Sequence, residues 1–118
     1  MFTGLLLKES LKDESILEII QITKTETWDV DNAADFQPKT WTAIYFEGDE
    51  SQVAVITEKL SQALKPCWYA NVSTENDEYV VFPNKVFTYT KGDKQKITEA
   101  VKYGQSLGIP NHQLDWFE

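Results

Sequence analysis

The chain has 118 residues, 42% hydrophobic and 25% charged, and its nineteen Asp and Glu against eleven Lys give a net charge of −8. That size and balance describe a chain that folds, and so acidic a surface repels a phosphate backbone, which excludes nucleic acid as a partner. With no arginine, and with His112 and Cys67 the lone members of their kinds, the chain also lacks the usual phosphate clamps, proton shuttles and thiolate nucleophiles.

Residues 2–8 read as a short apolar strand. Asp13 opens a short helix carrying Ile16, Leu17, Ile19 and Ile20. From Gln21 to Val30, Thr23, Thr25 and Thr27 alternate with Ile22, Lys24, Glu26, Trp28 and Val30, the pattern of a strand with a solvated face. A polar loop, Asp31 to Lys39, contains Pro38, and Trp41 to Phe46 is the next strand, stopped by Gly48. Asp49 and Gln52 take the N-cap and N3 positions of a helix whose apolar face is Val53, Ile56, Leu60, Ala63 and Leu64. Lys65 suits its negative end and Pro66 forbids its continuation.

Trp68 to Ser73 reads as a strand with Trp68, Ala70 and Val72 on one face, and Glu75 to Glu78 as a turn. Tyr79 to Thr90 is strand-like, but Pro83 removes a ladder donor. Two strands joined by a tight turn at Pro83-Asn84 fit best; an edge strand with a bulge is the alternative. Asp93 to Leu107 forms a last helix with Ile97, Ala100, Val101, Gly104 and Leu107 inward, Gly108 at the left-handed C′ position and Pro110 just beyond.

This order predicts one α+β domain over residues 1–118: a ferredoxin-like βαββαβ antiparallel sheet with helices on one face, plus an added C-terminal strand or hairpin and a final helix. A looser α+β sandwich is the alternative. Leu114, Trp116 and Phe117 are too apolar for a solvated end, so the tail is expected to dock on the fold. One cysteine cannot form an intramolecular disulfide, and Leu5-Leu6-Leu7 is too short for a signal core or a membrane span. The expectation is a cytoplasmic protein with no membrane partner, in which the sequon Asn71-Val72-Ser73 has no meaning.

Cys67 follows a helix C-terminus, whose dipole disfavours a thiolate, and reads as a packed thiol. His112 has no second histidine for a metal site and reads as a surface or turn residue, or as a pH-sensitive hydrogen bond closing the tail. Asp29, Asp31, Asp49 and Glu50 stand at a strand end and a helix start, where turn and capping duties explain them. Neither the dinucleotide nor the P-loop glycine motif is present. No catalytic residue, metal or cofactor is therefore expected. Trp28, Trp41, Trp68 and Trp116 form either one core layer or a partly open patch for a small molecule or another subunit, and with His112 they are the candidate interaction residues.

The segments Leu107-Gly108-Ile109-Pro110, Gln113-Leu114-Asp115-Trp116, Tyr79-Val80-Val81-Phe82 and Val86-Phe87 resemble those of a group of small uncharacterised bacterial proteins of this length. The resemblance runs over most of the chain and implies a bacterial, cytoplasmic single domain, with no activity or site residue to carry over. The expected function is a non-catalytic binding or self-association module, such as a homodimer formed through the sheet. A small enzyme or ligand carrier with an aromatic-lined pocket on the open sheet face is the alternative, and an acidic inhibitor of a basic partner a weaker one.

Overall fold

Six strands pair antiparallel throughout: β1 (Phe2–Leu7), β2 (Gln21–Asp29), β3 (Thr40–Gly48), β4 (Ala70–Ser73), β5 (Asp77–Phe82) and β6 (Lys85–Thr90). In this computed structural model, which describes residues 1–116, their order across the sheet is β2-β3-β1-β4-β5-β6. Phe117, expected to dock with the tail, lies outside the described residues. Two α-helices complete an α+β architecture, α1 (Val53–Ala63) and α2 (Lys94–Ser106). No helix among the described residues is long and apolar enough to cross a membrane.

Local chemistry accounts for most of the boundaries. Asp49 accepts the Ser51 N–H at 2.9 Å and opens a 3-10 turn that runs into α1. Asp93 likewise accepts from the Lys96 amide and starts α2. That helix ends in a Schellman motif: Gly108, at φ 85°, donates to the Gln105 carbonyl, and Ile109 donates back to Gly104. Phe82 and Lys85 close a hairpin around Pro83-Asn84, with Asn84 at φ 61°, the proline-then-left-handed sequence of a type II turn.

Three expectations about single elements are corrected. The segment after Asp13 closes only as a five-residue 3-10 helix, Glu14–Glu18, because β2 starts at Gln21 and leaves room for little more than one turn. The turn expected at residues 75–78 is shorter, since Asp77 and Glu78 already belong to β5. The strand expected from Trp68 begins at Ala70, because Cys67 takes a left-handed φ of 70° that breaks extended backbone just before it.

The helices also lie on opposite faces of the sheet, not on one. Alternation puts Phe2 and Leu6 of β1, Ile44 and Phe46 of β3, Ala70 and Val72 of β4 and Val81 of β5 into one layer with Val53, Ile56 and Leu60 of α1. On that face Gly4 and Gly48 leave room for the rings of Phe46 and Phe2, their cross-strand partners, which meet edge to face. A second layer on the other face joins Val80 and Phe82 of β5 and Tyr89 of β6 to Ala100 of α2, Ile109 and Leu114. The reason is local to β5. Its run Tyr79-Val80-Val81-Phe82 is apolar at consecutive positions, so both faces of that strand need cover.

Candidate functional site

Because α2 covers the β5–β6 end of its face, the neighbouring strands on that side are closed by other means. Leu5 and Leu7 of β1, Trp41 of β3, Trp28 of β2 and Asn71 of β4 all line one side of an open cleft of about 830 Å³. Trp28 and Trp41 are register partners across β2 and β3, which places both indoles on this face. The remaining walls are the start of the loop after β2 (Val30 to Asn32), the bend Cys67-Trp68-Tyr69, and the tail with His112, Gln113, Asp115 and Trp116.

Three of the four indoles are held by the contacts that follow. Trp41 donates its Nε1–H to the Pro38 carbonyl at 2.8 Å and meets Trp68 edge to face at 5.5 Å. Trp116 donates to the Tyr89 hydroxyl at 2.7 Å and packs against Tyr69 at 5.3 Å. Trp41 and Trp68 are buried, whereas Trp28 and Trp116 keep part of their surface open. The two readings of the aromatics therefore divide between residues: one pair serves packing and cleft together, and the other pair is accessible.

A clasp holds the loop against the tail. Gln37, buried, and Gln113 exchange amide hydrogen bonds in both directions, at 2.9 and 2.7 Å. The Ala34 N–H also donates to Gln37 Oε1, and His112 Nε2 stands 3.0 Å from the Asn32 carbonyl oxygen. Tyr69 donates its hydroxyl to the Gln113 carbonyl. Burial, with the Asp115 carboxylate adding to it, pushes the Tyr69 phenol well above its ordinary range, so it remains a neutral donor at the cleft wall.

All five candidate residues, Trp28, Trp41, Trp68, Trp116 and His112, thus border one cleft. Cys67 borders it too, half-buried, with its thiol donated to the Leu107 carbonyl at 3.1 Å. Asp29, Asp31 and Asp115 stand exposed among the lining residues, while Asp49 caps a helix elsewhere. Sequence reasoning passed over Glu78, which lies on the α2 face of β5 and is buried. Burial pushes its carboxyl above the ordinary value, partly offset by a 2.7 Å hydrogen bond from Ser73 Oγ–H, by Lys91 and by Asn71 of the cleft wall. The signal was its spacing of two and four from Val80 and Phe82. Among the described residues no group of three or more His, Cys, Asp and Glu is placed to hold a metal ion.

The arrangement offers flat π faces, aliphatic floor from Leu5 and Leu7, and amide and carboxylate groups at the margins. His112 and Cys67 are each engaged with a backbone carbonyl. No protein-family model matches this chain, and no curated protein or solved structure is significantly similar to it.

Proposed function

We propose that the chain is a binding protein for a small organic molecule, held in the cleft between the sheet and the C-terminal tail. One observation carries this reading: four tryptophans and the lone histidine, drawn from separate segments of the chain, converge on a single concavity of about 830 Å³. That volume falls in the range of drug-sized ligand sites, and an apolar aromatic wall with a few polar groups is their usual composition. A catalytic role has less support, since the thiol and the imidazole Nε2 each face a backbone carbonyl oxygen.

Self-association through the sheet ranks second. Strand β2 is an edge nine residues long, but a register irregularity between Ile22 and Lys24 and the charged Lys24–Glu26 pair are devices that discourage edge-to-edge pairing. For the fold, we propose that β1–β4 form a ferredoxin-like unit with its first helix reduced to a 3-10 turn, to which β5, β6 and α2 are added. The β2-β3-β1-β4 order, with β1 between β3 and β4, supports this. The ligand reading is tested by soaking crystals in mixtures of small aromatic compounds. Density for a compound between Leu5, Trp28 and Trp116 is expected; compounds bound only elsewhere, or none bound, would overturn it.

A further inference from the structure

We infer that the ligand is an organic cation with an apolar body, such as a substituted ammonium ion; this rests on the cleft being a ligand site. Three observations at different depths agree on the sign of the charge. The walls include four tryptophans, of which Trp28 and Trp116 keep accessible surface, and an indole is the best π surface for a cation. The lining includes the exposed Asp31 and Asp115, neither of which is in an ion pair among the described residues, whereas Asp29 follows Trp28 in β2 and alternation turns its side chain to the other face. No lysine lines the cleft among the described residues, although the chain has eleven. Lys39 and Lys65, close in sequence to wall residues, are exposed and outside it.

An anionic ligand would therefore meet carboxylates and no lysine. A neutral ligand could use the aromatic walls alone, but it would gain nothing from the carboxylates. A cation uses both. Its apolar body lies against Leu5, Leu7 and the indoles, and its charge faces the carboxylates at the margin. The net charge of −8 adds a general attraction that speeds the approach of such a ligand at low ionic strength.

Calorimetric titration of the full chain with three probes of similar size tests this: phenyltrimethylammonium, its neutral isostere tert-butylbenzene, and benzenesulfonate. The cation is expected to bind about tenfold tighter than the isostere, and the anion weakest. Asp31→Asn and Asp115→Asn, both exposed positions, should each weaken the cation about threefold and leave the isostere unchanged. Raising the salt concentration should weaken the cation alone, which gives a readout without any variant. If the isostere or the anion binds as tightly as the cation, the charge preference is overturned while the cleft stands as a binding site. If none of the three binds, the ligand reading itself falls and the charge preference falls with it.

Discussion

Gly104 offers the sharpest structural test, because two opposing effects can be weighed there. At an exposed helical position, Gly→Ala stabilises by about 1 kcal/mol through helix propensity. Gly104 is buried in α2, and a Cβ there would stand 2.7 Å from Leu114 Cδ2 and 3.2 Å from Phe82 Cε1. The Leu114 methyl is the far end of a flexible side chain and can shift. The Phe82 ring is fully buried and held edge-on by Phe87 and Tyr103, at 5.8 and 5.2 Å, so it has little room to move. Overpacking of this kind costs about 1–3 kcal/mol. The balance predicts that Gly104→Ala destabilises by about 1 kcal/mol and Gly104→Leu by at least about 3 kcal/mol.

A double-mutant cycle separates the two effects. Leu114→Ala alone should cost about 2–5 kcal/mol by leaving a cavity. In that background Gly104→Ala should cost less than it does in the parent, since the 2.7 Å contact is gone and the cavity gives the Phe82 ring, 3.2 Å away, room to yield. Urea unfolding at constant m gives each corner of the cycle. A Gly104→Ala variant stabilised by the full propensity gain, with no coupling to Leu114, would refute the packing of α2 on the tail.

Truncation after Gly108 removes the buried Ile109 and Leu114, the Tyr69–Gln113 hydrogen bond and the Trp116–Tyr89 bond. Burial of the two aliphatic side chains alone contributes about 3–6 kcal/mol, so soluble yield or the melting temperature should fall sharply, and an unchanged melt would mean the tail is not docked. Ser61→Ala leaves the buried Phe82 carbonyl without its 2.7 Å partner and should cost about 1–3 kcal/mol in urea unfolding. Glu78 has its folded-state affinity for a proton raised by burial, so the native state holds that proton longer than the unfolded chain does. Its contribution to stability is therefore greatest at low pH and is lost as pH rises from the ordinary value near 4.5 through the raised one. Glu78→Gln should flatten stability over that interval in denaturant series at several pH values; a steeper or unchanged profile would contradict the assignment.

Much of the fold could be read from particular residues because its causes are local. Asp49, Asp93, Pro83-Asn84 and Gly108 are caps and turns whose chemistry acts within a few positions, and each does what its type requires. The side of the sheet taken by α2 depends on cover for both faces of β5. The four consecutive apolar residues there carried that information, but an expected one-sided helix layer hid it. The segment 14–18 has a helical cap and apolar content, yet its length before β2 decides for a single 3-10 turn.

The site was less accessible. The tryptophans stood out by their chemistry, but nothing local places residues 28, 41, 68 and 116 around one space. That juxtaposition is made by the strand order and by the return of the tail across the sheet. The Gln37–Gln113 pair is the clearest case, since 76 positions separate two uncharged residues of common type. Glu78 was hidden differently. Surrounded by Glu75, Asn76 and Asp77 it looks like a turn, and only its alternation with Val80 and Phe82 marks a buried carboxyl.

The most direct test of the ligand cleft is nitrogen-15 NMR of the four indole N–H signals, assigned by single Trp→Phe variants, during titration with phenyltrimethylammonium. The signals of Trp28 and Trp116 should shift together and saturate, with the Leu5 and Asn71 amides following and the Val55 amide, on the exposed side of α1, unmoved. Shifts confined to the α1 side, or four indole signals that stay fixed throughout the titration, would contradict it.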